Sequence, residues 1–367
     1  FRFSDGESPE INLSLDVPRI QTSVAKQFWP FWLGRGTRGW ATNSIYGGEI
    51  NNLKLWLHVD AGRFSSPIRP IRHKREDYQV DYDFKNARVN IVGEIPPVRN
   101  AFGSMKLRGE EIIVDIDEGT SYFPSNRKME ITGGNVVIAN THAVPLMAEI
   151  DLNLSGWADA AAELISFEPI DALDEVGLEP DDISGLVDAN VRASFGIIPS
   201  QNPPDPIWDV KLALNGVDLK KPIEGYNLSN INGTLDVDLE KAVLEAKMKA
   251  DGVNVTASIT EPVGNSSVEP ARKLRGTIND KERALLKLGL DDIVFGDVAF
   301  NITQIAENVD KVELNLRNSK IVSPGTGWVK SKGIAAQASF QLKQDGDDIE
   351  VEDFKFRGKG FSASGAI

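Results

Sequence analysis

Apolar side chains return at every second position in segment after segment of this chain. In INLSLDV, Ile11, Leu13, Leu15 and Val17 share one side, and Asn12, Ser14 and Asp16 take the other. NLKLWLHVD aligns Leu53, Leu55, Leu57 and Val59; YQVDYDF aligns Tyr78, Val80, Tyr82 and Phe84; EIIVDID aligns Ile112, Val114 and Ile116. AEIDLNLSG aligns Ala148, Ile150, Leu152 and Leu154, and VDANVRASFGI aligns Val187, Ala189, Val191, Ala193, Phe195 and Ile197. The period continues through VKLALNG, TLDVDLE, NVTASI, VELNL, ASFQLK and IEVEDFKF. Successive side chains of a strand point to opposite faces, so each segment predicts a strand with one apolar and one polar face. Strands buried on both faces of a parallel sheet read as unbroken apolar runs, so this pattern predicts antiparallel pairing.

Glycine opens strand after strand following a polar turn, as in GGEINNLKLWL, GSMKLRG, GGNVVIAN, GLVDANVRASF, GTLDVDL and GDVAFNI. The recurrence suggests a sheet that grows by repetition, although its period is irregular. The apolar face has to be covered. A second sheet covers it in a sandwich, curling covers it in a barrel, and an open trough leaves it for a ligand to share. Periodicity does not choose among the three.

Helices interrupt the pattern in three places. Residues 22–29 predict a short helix stopped before Pro30, because the residue ahead of proline avoids the α region. In WADAAAELISFEPIDALDEVGL, Asp159 is the expected cap of a helix over 160–167 ended by Pro169, with a further turn at 171–176 stopped by Gly177. NDKERALLKLGL predicts a third helix, capped by Asn279 or Asp280. The Pro-rich loop 199–206 is the best candidate for a boundary, which gives sections 1–200 and 201–367.

Of the 367 residues, 40 are Lys or Arg and 54 are Asp or Glu, a net charge of −14. Nucleic-acid binding wants a basic footprint, so no nucleic-acid partner is expected. The chain has no cysteine, which excludes disulfides and thiolate metal sites. His58, His73 and His142 are too scattered for a histidine metal site, so neither metal nor cofactor is expected. No apolar run is long enough to span a bilayer as a helix. The chain opens at Phe1 and ends at FSASGAI in mid-pattern, which reads as an internal section of something longer.

Catalytic candidates are thin. Asp115 with Asp117, and Asp236 with Asp238, share strand faces, but neither pair has a histidine or nucleophile beside it in sequence, and solvated strand faces explain them. LEPDDISG has acids without the spacing of a calcium loop. GRGTRG and RGKGFSASG lack the context of a phosphate loop. Asn-x-Ser/Thr triplets at Asn12, Asn153, Asn232 and Asn254 carry no weight. A carbohydrate-active enzyme would need convergent carboxylates beside aromatic platforms, and the tryptophans do not pair with acids at strand spacing.

The densest aromatic stretch is FWPFWLGRGTRGWATNSIYGGEINNLKLWLHVD, with Phe28, Trp29, Phe31, Trp32, Trp40 and Trp56. It reads either as an amphipathic element at a membrane or lipid path, or as an aromatic plug capping the end of a β-structure. Lys26, Arg35, Arg38, Arg63 and RPIRHKRE form the one local basic concentration, read either as a contact for anionic headgroups or as paired surface charge on the polar loop 63–77.

Several segments together resemble the bacterial AsmA-like family of the YhdP and TamB type. A W-P … R-x-W … N-x-x-x-G-x-I pattern is met by Trp29, Pro30, Arg38, Trp40, Asn43, Gly47 or Gly48, and Ile50. GSMKLRGEEIIVDIDEGT and MEITGGNVVI resemble its next strands. The helix-containing insertion and following Gly-led strand are matched by Gly156, Leu164, Pro169, Gly177, Gly185 and Pro199. A D-L-T-x-A … G-W-x-K-x-x-G strand pair is matched by Leu314, Trp328, Lys330 and Gly333, with Glu313 or Asn315 at the aspartate position and no threonine. The resemblance covers roughly residues 11–367.

It implies a mainly β fold, a long twisted antiparallel sheet folded into an open trough with a few short helices. It implies a section of a periplasm-spanning protein, tethered to the inner membrane by an anchor outside this chain. The trough would carry phospholipid acyl chains toward the outer membrane, with no enzymatic step. Leu55, Leu57, Ile150, Leu152, Val191, Phe195, Leu212, Leu235, Val237, Leu314 and Phe340 are then the expected inward-facing residues. Helices near 160–176 would cover an edge or mouth. The alternative is a non-enzymatic scaffold whose closed core binds envelope proteins.

Overall fold

The computed structural model describes all residues except 4–5, 30–34, 64–73, 75, 92–93, 168–176, 224, 346–347 and 366–367. Among the described residues the chain is mainly β, with a few short helices. Nineteen strands belong to one antiparallel sheet that does not close into a barrel, and three more form a small separate sheet. The chain divides into two compact units, residues 1–181 with 186–211, and residues 182–185 with 212–367.

In the first unit, β1 (Ile11–Gln21) pairs with β3 (Glu49–Val59). Neighbour then follows neighbour antiparallel through β4 (Tyr78–Val89), β5 (Val98–Arg108), β6 (Glu111–Tyr122), β7 (Lys128–Ile138), β8 (Met147–Trp157) and β9 (Ile183–Gly196). The two-residue β2 (Ile45–Tyr46) adds to β4. Between β1 and β3 lie α1 (Thr22–Phe28) and α2 (Arg35–Ser44). After β8 comes α3 (Ala158–Ile165).

β10 (Ile207–Leu219), whose residues from 212 on belong to the second unit, leads to β11 (Leu228–Asp238), β12 (Lys241–Ala250), β13 (Val253–Pro262) and β14 (Ala271–Ile278). A short α4 (Asp280–Leu285) and β15 (Val294–Gly296) intervene before β16 (Val298–Ala306) and β17 (Val309–Asn315). The order resumes with β20 (Ala336–Asp345), β21 (Asp348–Gly358) and β22 (Phe361–Gly365). The skipped β18 (Ser319–Ser323) and β19 (Trp328–Lys330) pair with β15 to make the small sheet.

Local chemistry accounts for these joints. Asp251 and Gly252 both have positive φ between β12 and β13, the requirement of a tight two-residue hairpin turn whose twist matches the strands. Asn52, Asn86, Asn100 and Asn230 also have positive φ, each where the register of β3, β4, β5 or β11 shifts. These are β-bulges, which bend a strand and re-aim its side chains. They explain why Ile50 and Leu53, three apart, both turn inward.

Two expectations need correction. Asp159 is not the cap of α3: the cap position is Trp157, without a side-chain bond, and Asp159 lies in the first turn. Its carboxylate is held instead by Arg127, at 2.8 Å, which also binds Glu163 at 3.0 Å and Asp181. The Leu314 and Trp328 segments do not pair with each other. β17 pairs with β20, whereas Trp328 sits on the small sheet. The third helix does begin at Asn279, through a reciprocal capping box with Glu282. The expected turn at 171–176 and most of loop 63–77 lie outside the described residues.

Candidate functional site

The candidate site is the apolar face that alternation creates, taken in each unit by itself. In the first unit, cross-strand rows run over it: Leu55, Val80, Leu107, Ile112 and Ile138, then Tyr82, Met105, Val114, Val136, Ile150 and Ala193. A third row alternates bulk with glycine: Phe84, Gly103, Ile116, Gly134, Leu152 and Val191. A Cβ on Gly103 would lie 2.7 Å from the Phe84 ring, and one on Gly134 would lie 3.0 Å from a Leu152 methyl. Phe84 and Leu152 therefore lie over bare backbone.

Leu57, Val59, Tyr78, Val80, Met105, Leu107, Ile112, Ile138, Leu146, Ala148 and Ile197 form a buried cluster on this face. Trp29 and Trp40 pack against it. For Trp29 and Trp40 this packing fits the aromatic-plug reading of the stretch. Its motif residues build the plug. Arg38 Nε donates to the Trp29 carbonyl at 2.9 Å. Lys26 donates to the Thr42 carbonyl at 3.0 Å and to that of Ile45, closing the end of α2. A Cβ on Gly48 would lie 2.4 Å from the Lys85 carbonyl, so only glycine admits this approach. Phe28 is 75% exposed, and Phe31 and Trp32 lie outside the described residues. Within the basic concentration, Lys26 and Arg38 are thus engaged internally, and Arg63 pairs with Asp77 at 3.2 Å.

The second unit repeats the pattern. Its rows are Gly233, Ala246, Ala257, Leu274, Ile302, Val312 and Phe340, and Met248, Val255, Gly276, Phe300, Leu314, Ala338 and Phe356. At one end of this face Trp328 stacks on Phe361 at 4.8 Å and meets Phe356 edge-on at 5.7 Å.

The eleven residues expected to face inward fall as follows. Leu57 is buried. Leu55, Ile150, Leu152, Val191, Phe195, Leu212, Leu235, Val237, Leu314 and Phe340 are all half-buried. Leu152 faces Val191, Ala148 faces Phe195, and Leu235 faces Leu244 across neighbouring strands. On the edge strand β1, Leu13 and Leu15 are 46% and 43% exposed on the same side as Leu57 and Leu55. A face packed beneath a second sheet would not leave leucines at mid-strand in this state.

The paired acids sit on the polar side. Asp115 meets Lys106 at 3.1 Å. Asp238 accepts the backbone N–H groups of Glu240 and Lys241, which holds its carboxyl below the usual range. Among the described residues no three acidic or histidine side chains are placed to hold a metal, and no helix is long and apolar enough to cross a membrane.

Sequence reasoning placed Lys330 in a motif but did not foresee its burial. It is only 2% exposed, and its amine donates to the carbonyls of Leu316 and, at 2.6 Å, Ser319. Burial lowers its pKa. Gly333 N–H donates to the Arg317 carbonyl at 2.8 Å. Lys330 and Gly333 therefore fasten the small sheet to the segment after β17, while Trp328 packs on Phe356 and Phe361; the motif spacing was the available signal.

A family model described as YhdP protein matches residues 1–356. No curated protein and no solved structure matches the chain.

Proposed function

The chain belongs to the YhdP family, and from that premise we propose that it carries lipid acyl chains on the apolar face of its open sheet. It acts as a non-enzymatic section of an envelope protein that moves phospholipid between the inner and outer membranes. The observation that carries this reading is that ten of the eleven expected inward positions are only partly buried, spread over strands of both units. Each buried methylene of an acyl chain contributes about 0.8 kcal/mol. A long face of similar leucines and valines offers many near-equal positions, so a chain can shift along it without a deep trap. Periplasmic placement and an inner-membrane tether outside this chain belong to the same proposal.

The buried cluster under Trp29 and Trp40 favours a second reading for that part of the first unit, a closed core that serves as scaffold. Native mass spectrometry with lipid extraction separates the two, on the chain purified without detergent after expression in a bacterial periplasm. More than one phospholipid per chain is expected. A stable, monomeric, lipid-free chain would turn the search toward a protein partner.

A further inference from the structure

The second unit holds a groove of about 990 Å³. Two cross-strand rows of β16, β17, β20 and β21 line it. One runs Ala299, Asn315, Gln337 and Arg357, and the next runs Asn301, Glu313, Ser339 and Lys355. Alternation turns these side chains to the polar side of the sheet, away from Phe300, Leu314, Ala338 and Phe356. One wall is fixed by the backbone. Leu316 N–H donates to the Ala336 carbonyl at 2.9 Å, and Gly333 N–H to that of Arg317 at 2.8 Å. Asn315 Oδ1 accepts the Arg317 N–H at 3.1 Å, so Arg317 is held at the groove.

Three cations border this groove, Arg317, Lys355 and Arg357, all of them exposed. Among the described residues none of the three side chains has a hydrogen-bond or ion-pair partner. The acids nearby are engaged or stand outside. Glu313 accepts from Lys311 at 2.6 Å and from Asn301 at 3.3 Å, which holds its carboxyl below the usual range. Asp353 accepts the Gln341 amide at 3.1 Å, and Glu352 faces Gln341 beyond the groove lining. In a chain of net charge −14, three unanswered cations around one groove make a local positive field. Their spacing is wide. Lys355 and Arg357 are two residues apart on one strand, roughly 7 Å. Arg357 lies two strands from Asn315, the strand Arg317 follows, which adds roughly 10 Å. Two anionic groups span that distance and one does not. Between the cations, the amides of Asn315 and Gln337 and the hydroxyl of Ser339 offer donors and acceptors for hydroxyl groups.

We propose that this groove binds a small molecule carrying two anionic groups, phosphate or carboxylate, on a hydroxyl-bearing frame. Arg317 holds one group, and Lys355 with Arg357 holds the other. A guanidinium fork matches either oxyanion, and an ammonium adds a point charge. The groove uses the side of the sheet opposite the apolar face, so this site stands independently of the proposed lipid function.

Isothermal titration calorimetry on the full chain tests it. Glucose 1,6-bisphosphate and glucarate are the two-group probes; glucose 1-phosphate and inorganic phosphate are the one-group controls. At least one two-group probe is expected to bind about tenfold tighter than either control, and the tighter of the two tells phosphate from carboxylate. Arg317→Gln and Arg357→Gln should each remove that advantage, a loss of about tenfold, with melting unchanged because both side chains are exposed. Lys247→Gln, exposed on the polar side of β12 and outside the groove, should bind as the unaltered chain does. No binding of any probe, or controls as tight as the two-group probes, overturns the site. An equal loss in Lys247→Gln shows attraction to diffuse surface charge and overturns it as well.

Discussion

The first unit buries large side chains on its apolar face, among them Leu57, Tyr78, Met105, Leu107 and Ile112, with Trp29 and Trp40 packed on them. On the middle strands of the second unit the alanines Ala246, Ala257 and Ala338 are buried beside Met248, Val255 and Val312, while Leu235, Leu244, Leu274, Phe300 and Leu314 stay half-buried. The same alternation thus produces two different surfaces. A large residue leaves water most completely when a second layer comes down on it. An alanine is shaded by the bulkier neighbours in its own sheet, so its burial is no sign of a core. Trp29, just after α1, and Trp40, on α2, supply that second layer in the first unit; on the middle of the second unit's face no described helix does so.

Placing a carboxylate on each face should break the comparison most sharply. Leu107→Asp puts an unpaired charge into the cluster and is expected to abolish slow hydrogen exchange across β4 to β6, a loss of several kcal/mol. Leu314→Asp, at a partly buried position, should lower exchange protection in β16, β17 and β20 far less. Equal damage would mean both faces are dry cores. Next in size, Trp29→Ala and Trp40→Ala should each destabilise the first unit by about 3 kcal/mol in urea titration. The second unit's exchange should stay as it was. A smaller effect is expected at the small sheet. Lys330→Met removes the amine from the Ser319 carbonyl and leaves the Leu316 carbonyl to Ser319 alone, and should cost about 1 kcal/mol, read as faster exchange in β18 and β19 alone.

The weakest contrast concerns pH. Burial pushes Tyr82, on the first unit's apolar face, up to about 12 from 10.0. The folded state then holds its proton while the unfolded state releases it. Stability should be full below pH 10 and fall between pH 10 and about 12. Tyr82→Phe should flatten that part of the alkaline unfolding curve. An unchanged curve would show that Tyr82 is as wet as the leucines of the second unit.

The alternation made the strands and the antiparallel pairing legible, because a period of two has one structural meaning. Asn279 was legible too, since an asparagine three residues before a glutamate is a capping box in sequence form. Asp159 misled because an acid ahead of a helix looks like a cap until Arg127, far away in sequence, claims it. The small sheet escaped because its strands are short, and because β18 and β19 stand between strands that pair around them. The burial of Lys330 escaped because a lysine in sequence reads as surface, and only the fold brings two carbonyls to its amine. The bulges at Asn52, Asn86, Asn100 and Asn230 were written as asparagines, but an asparagine in a strand does not announce a positive φ.

The central claim is that a partly buried apolar face carries acyl chains, and site-specific crosslinking tests it most directly. A photoreactive amino acid is placed at Leu314 in one sample and at Leu107 in another, each chain is incubated with phospholipid vesicles, and crosslinked lipid is counted by mass spectrometry. The account predicts lipid adducts at Leu314 and few or none at Leu107, beneath the aromatic plug. Adducts at neither position, in a chain that remains folded, would contradict it.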